Sequence, residues 1–223
     1  MNNFFIINFL FFTLLFYPLN IQKSTLENNI FNLYKTINDS NINFEGFKYA
    51  IHGYQYLLEK NLLKNNFLVI IDFTKPSYDD RFYLIDLNMC RLLLKTKVAH
   101  GKNSGDIFPI YFSNIPESNM SSIGFFITKE DYNGKHGYSL RLEGIETGIN
   151  DNAKKRGIVI HGAEYVSDEY IKKYGRIGRS NGCLAIPEDI NETLIKTIKE
   201  GTCVFVYYPD KNYISKSKII LNK

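Results

Sequence analysis

The 223-residue sequence contains no tryptophan, six prolines and three cysteines, and only six of its 27 basic residues are arginine. Six prolines and fifteen glycines are too few for a collagenous or linker-rich chain. Scarce arginine and a net charge of +4 exclude a dedicated nucleic-acid binder. Three cysteines, Cys90, Cys183 and Cys203, cannot all pair within one chain, so at least one thiol is free or pairs between chains. What is present is globular: 44% hydrophobic and 22% charged residues, at a length that suits one domain with a short appendage. The longest apolar run, residues 4–17 (FFIINFLFFTLLFY), is shorter than the roughly 20 residues of a membrane span. It fits the hydrophobic part of a secretory signal, although no Lys or Arg precedes it and no small-residue cleavage site follows. Residues 1–22 are therefore read as a signal peptide or N-terminal anchor and set apart from the fold.

Residues 25–38 carry Leu26, Ile30, Leu33, Tyr34 and Ile37 at helical spacing, and residues 44–58 carry Phe47, Ala50, Ile51, Tyr54, Leu57 and Leu58. These two helices make a preface over residues 23–65. From residue 66 to 210 the pattern becomes short strands separated by turn residues. Strands are predicted over 67–73, 81–87, 90–99, 107–112, 123–128, 138–142, 157–161 and 203–208. Such spacing argues for a sandwich or barrel and against alternating βαβ units. Two helices interrupt the late strands, one capped by Ser167 and stopped by Gly175, the other opened by Pro187 and ended before Gly201. Residues 211–223 are left as a C-terminal tail. The fold class is mainly β (α+β) with peripheral helices.

All four histidines precede glycine, so their neighbourhoods must separate them. His52 lies on a core-facing helix and reads as structural. His100 and His136 sit in loops rich in Gly and Ser. His161 ends the apolar run Ile158-Val159-Ile160, which places it at a sheet rim where sites are built. Cys203 alternates with Phe205 and Tyr207 and reads as an inert core thiol, as does Cys90 among Leu87, Met89 and Leu92. Cys183 differs. It lies in GRIGRSNGCLAIP (175–187), where small residues let backbone N–H groups and a substrate carbonyl approach. Arg156, Arg176 and Arg179 fall within 24 residues beside it, and positive charge favours thiolate over thiol. A Cys nucleophile needs an imidazole partner, and His161 stands 22 positions upstream (183 − 161).

The segment IVIHGAEYVSDEYIKKYGRIGRSNGCLAIP (158–187) resembles the catalytic region of the L,D-transpeptidase superfamily, specifically the murein L,D-transpeptidase catalytic domain family. VIIDFTKPSYDDRFYLIDL (69–87), VAHGKNSG (98–105), FSNIPESNMSSIGFF (112–126) and YNGKHGYSLRLEGIE (132–146) resemble it in order, so the likeness covers about residues 44–208. The resemblance implies an L,D-transpeptidase-like β-sandwich or barrel in an exported, periplasmic or cell-envelope enzyme acting on peptidoglycan stem peptides, with no metal or organic cofactor. It implies Cys183 as nucleophile, His161 as its imidazole partner and the Gly162 carbonyl as the group that orients the ring. It implies an oxyanion site from the Gly182 and Cys183 N–H groups and Asn181. Many relatives carry His where this chain has Asn181, and Arg after the Cys where it has Leu184-Ala185-Ile186. Substrate binding then falls to Ser180, Arg176 and Arg179.

Several readings stay open from sequence. Water as acceptor would make the chain an L,D-carboxypeptidase, and loss of turnover would leave a wall-binding module of the same fold. A zinc hydrolase using His100, His136 and His161 has no supporting ligand spacing. Ser121, Ser122 and Gly124 either line a cleft or serve buried turns. An uncleaved N-terminal segment would attach the chain to the inner membrane. A Cys90–Cys203 disulfide is an alternative to two core thiols. The acyl acceptor and oligomeric state are not encoded in any motif identified.

Overall fold

The computed structural model describes residues 19–221, with side chains from residue 26 onward. The apolar run 4–17 lies outside them. Helix α1 (Leu19–Ile37) begins inside the span set apart for export, and α2 (Phe44–Glu59) follows. No helix among the described residues is long and apolar enough to cross a membrane. Helix α2 forms because Asn43 caps it, its side chain accepting the Gly46 N–H at 2.9 Å, and because Phe47, Ala50, Ile51, Tyr54 and Leu57 make one buried stripe. Gly46 and Gly53 lie two turns apart on that stripe. A Cβ on Gly53 would stand 2.0 Å from the Phe125 ring, and one on Gly46 would stand 2.7 Å from Tyr207. The helix backbone thus lies directly on the sheet.

The strands are β1 (Phe67–Asp72), β2 (Phe82–Asp86), β3 (Arg91–Thr96), β4 (Gly124–Gly134), β5 (Gly137–Gly144), β6 (Val159–Gly162), β7 (Leu184–Ile186) and β8 (Cys203–Tyr207). They form one eight-stranded sheet in the order β3-β2-β1-β8-β4-β5-β6-β7. The β1–β8 and β6–β7 pairs are parallel and the others antiparallel. Beyond β3 the chain crosses to the opposite edge: Ala99 N–H donates to Ala185 O at 2.7 Å and Ser180 N–H to His100 O at 2.9 Å. The sheet is therefore nearly closed, a barrel and not a sandwich of two sheets. Its main core holds Phe125 stacked on Phe205 at 4.2 Å, with the inward residues of β1, β2 and β8 around them.

Two strand assignments differ from the sequence reading. Residues 107–112 form no strand. Pro109 has no N–H to give a ladder, the Ile110 and Tyr111 N–H groups both turn back to Ser104 O, and Phe108, Ile110 and Tyr111 are exposed. Strand β7 was not expected, because three residues between a glycine loop and Pro187 carry little periodicity.

Helices α3 (Asp168–Tyr174) and α4 (Glu188–Ile198) lie where the capping signals put them, with Gly175 left-handed at φ 72°. The C-terminal residues add α5 (Lys211–Lys216), which buries Tyr213. Tyr213 Oη donates to Glu146 Oε2 at 3.0 Å, Ser217 Oγ bonds Glu146 Oε1, and Phe125 N–H donates to Oε2 at 2.8 Å. One buried carboxylate thus ties the C-terminal segment to β4.

Candidate active site

Strands β6 and β7 place the two central side chains. Ile160 pairs with Leu184 and His161 with Ala185. Side chains alternate along a strand, so Ile160, Leu184 and Ile186 enter the main core. His161, Ala163, Ala185 and Cys183 share the opposite face, against a small cluster of Ala99, Val166 and Ile177. Cys183 directly precedes β7, one diagonal step from His161 on that face.

The loop before Cys183 is built from local bonds. Ser180 Oγ donates to Cys183 O at 2.7 Å and accepts the Gly182 N–H at 3.0 Å. Gly182 sits at φ 121°, and a Cβ there would meet Met120 O at 2.8 Å, so only glycine fits. Ser180 also joins the chain beyond β3, its N–H donating to His100 O and its carbonyl accepting Lys102 N–H at 2.8 Å. Ser180 is thus a brace for the loop. Gly182, read from sequence as an oxyanion donor, has its N–H engaged by that brace. Cys183 N–H has no hydrogen bond among the described residues, and Asn181 is exposed beside it.

The Cys183 thiol donates to Gly157 O at 3.5 Å. Burial pushes the thiol above its ordinary pKa, opposed by the Val159 backbone and the Arg156 charge. Burial thus favours the neutral thiol, against the thiolate that the Arg156 charge favours. Arg156 is the guanidinium whose charge acts on the sulfur. It is held by Ser113 O and Ser122 Oγ at 2.5 Å each, Met120 O at 2.6 Å and Ser118 Oγ at 3.1 Å. Four groups from one serine-rich segment are thus organised by one side chain.

His161 is buried, and its Nδ1 lies 2.8 Å from Gly162 O. A carbonyl can only accept, so Nδ1 carries the proton and Nε2 presents a lone pair. Burial lowers its pKa, the Gly162 carbonyl raises it, and His136 lowers it. The His136 ring stacks on it, centroids 4.7 Å apart and planes 23° apart. No local signal marks His136, since a hairpin places it there from 25 residues upstream (161 − 136).

Other expected residues are bonded within the chain. Arg176 Nε bonds Asp106 Oδ1 at 2.8 Å and Arg179 bonds the same oxygen at 3.2 Å, while Arg179 also donates to Gly105 O at 3.0 Å. Both guanidinia, expected to grip a substrate carboxylate, are committed to a carboxylate of the chain itself. Ser121 Oγ accepts Gly101 N–H, and Ser122 Oγ donates to Ser113 O, so both serve turns. Buried His100 accepts from Arg81 at Nδ1, 2.8 Å away, and its Nε2–H faces Gly105 O at 3.3 Å. Both of its nitrogens are spent, and its pKa falls to about 3 through burial and the Arg81 charge. The three thiols are free. Cys203 is buried, but Cys90 is half-exposed in the β2–β3 turn at φ 50°, not in the core, because the hairpin turns there.

No curated protein matches the chain. Among solved structures, the L,D-transpeptidase from Mycobacterium smegmatis is 13% identical with a TM-score of 0.41, over 65% of this chain and 59% of that one. Mycobacterium tuberculosis L,D-transpeptidase 1 is 12% identical with a TM-score of 0.38, over 64% and 62%. An L,D-transpeptidase from Xylanimonas cellulosilytica is 16% identical with a TM-score of 0.37, over 69% and 68%. The chain spans about three-fifths of the length of the first two. The model of the L,D-transpeptidase catalytic domain matches residues 38–207, from the end of α1 through β8. A match over that much of the sequence, with the His161 strand and the Cys183 loop inside it, means that the chain belongs to the L,D-transpeptidase catalytic domain family.

Proposed function

We propose that the chain is an exported cysteine-dependent L,D-transpeptidase of the cell envelope, acting on the tetrapeptide stems of peptidoglycan through a thioester on Cys183. Residues 66–210 carry the catalysis, behind a helical preface at 23–65 and an export or anchoring segment at 1–22. The observation that carries the reading is the His161 tautomer. With Nδ1–H given to Gly162 O, the basic Nε2 is on the ring of the strand face that Cys183 shares.

In the proposed first step, Nε2 takes the Cys183 proton as the sulfur attacks the carbonyl of the diamino acid before the terminal D-Ala. The oxyanion accepts from Cys183 N–H, with Asn181 at the rim. The imidazolium then gives its proton to the D-Ala nitrogen, the C–N bond breaks, and a thioester remains. The side-chain amine of a second stem attacks, His161 takes its proton and returns it to sulfur, and a 3–3 cross-link is released. Gly162 O steadies the imidazolium without an acidic residue. Arg156 supports charge on sulfur. Neither step calls on a metal or organic cofactor.

The test is incubation of the full chain with defined disaccharide-tetrapeptides and mass analysis of the products. Loss of D-Ala with appearance of cross-linked dimers is expected. Loss of D-Ala without dimers would make the chain an L,D-carboxypeptidase, and binding without loss of D-Ala a wall-binding module.

A further inference from the structure

His136 is exposed at the tip of the β4–β5 hairpin, between Gly134 and Gly137. Nothing in the hairpin's own pairing requires an imidazole there. Yet its ring lies nearly parallel to the His161 ring at stacking distance. On its other sides His161 meets neutral groups: Ser139 pairs with it from β5, Ala185 from β7, and the Gly162 carbonyl holds Nδ1. Cys183 lies just before β7. Asn191 and Glu188 of α4 approach Gly162, the next residue. The His161 plane is therefore fixed at one edge by a carbonyl and on one face by a ring from a different element.

We propose that His136 is a positioning residue for the reaction, holding the His161 imidazole in plane and shielding its Nδ1–H from water so that Nε2 stays the basic nitrogen. The inference rests on the reading of His161 as the base. Two consequences follow from the chemistry of stacked imidazoles. A cation on one ring opposes a cation on the other, so His136 opposes protonation of His161 beside the larger effect of burial. In this role the ring acts on His161 and not on the reacting atoms, so its loss is expected to lower turnover more than substrate binding.

The experiment follows the His161 ring directly. In the full chain, the His161 Nδ1–H resonance and the pH titration of its ring nitrogens are recorded by NMR for wild type, His136→Ala and His136→Phe. The phenyl ring keeps the cover and tests whether a flat ring is what matters. His136→Ala is expected to exchange the Nδ1–H about tenfold faster. It is also expected to move the His161 titration upward by about half a pH unit or more. His136→Phe is expected to retain the protected proton. In parallel, kcat for D-Ala release is expected to fall about tenfold in His136→Ala with KM nearly unchanged, and to recover in His136→Phe. An Nδ1–H and a titration in His136→Ala equal to wild type would overturn the proposal, as would loss of the protected proton in His136→Phe. Because the NMR readout needs no turnover, a wild-type chain that releases no D-Ala would sink the functional reading and leave this result standing.

Discussion

His161 and His100 carry their single protons on opposite nitrogens, and that difference leaves one ring with a free lone pair and the other with both nitrogens spent. His161 gives Nδ1–H to a carbonyl and keeps a lone pair, whereas His100 accepts at Nδ1 from a guanidinium and gives its other proton to Gly105 O. Because burial lowers the His161 pKa, D-Ala release should hold level near neutral pH and fall on the acid side, below the ordinary 6.5 of a histidine. A steady-state pH profile checks this; an acid limb above that value would contradict it. Ser180 is the other decisive residue. Ser180→Ala removes a donor to Cys183 O and an acceptor for Gly182 N–H. It should cost about 1–3 kcal/mol in chemical denaturation and lower kcat about tenfold by loosening the loop. Cys183 and His161 could each be singled out in sequence because a glycine loop and a strand end are local patterns. The duties of Arg176 and Arg179 could not, because Asp106 reaches them only when a loop 70 positions upstream (176 − 106) folds back.

Helix α2 and strand β7 show what an element's own sequence can reveal. The α2 stripe and its Asn43 cap are local, so its limits can be read directly. Its two stripe glycines look like weaknesses until the sheet is placed beneath them. Gly53→Ala would set a methyl where the Phe125 ring now lies. It is expected to destabilise the fold by about 1–3 kcal/mol, measured by urea unfolding, although alanine is the better helix former. Strand β7 carries almost no signal, since its ladder comes from β6 and from Ala99 beyond β3. Residues 107–112 are the converse, an apolar run in which the Ile110 and Tyr111 N–H groups go to Ser104 O and the Phe108, Ile110 and Tyr111 side chains are exposed.

Across the whole molecule, buried His100 links stability to pH. Its folded pKa of about 3 lies below its ordinary 6.5, so below 6.5 the unfolded chain binds a proton that the folded chain refuses. Stability from this group is complete above that value and is lost as pH falls toward about 3, by up to about 1.4 kcal/mol per pH unit. His100→Gln keeps an acceptor for Arg81 and should flatten the slope, as read from urea unfolding between those limits. An unchanged slope would show that another group governs it. The closure of the barrel, the His100 brace and the Arg156 anchor all converge on one loop, and their common product is a Cys183 thiol on the face it shares with His161. The most direct test of that product is intact-mass and peptide-mapping spectrometry of the full chain after exposure to a carbapenem, which acylates a nucleophile and leaves its mass behind. A single adduct is predicted on Cys183, absent in Cys183→Ala, sharply slowed in His161→Ala and unchanged in Cys90→Ser and Cys203→Ser. An adduct on Cys90 or Cys203, or one that forms at the wild-type rate without His161, would contradict it.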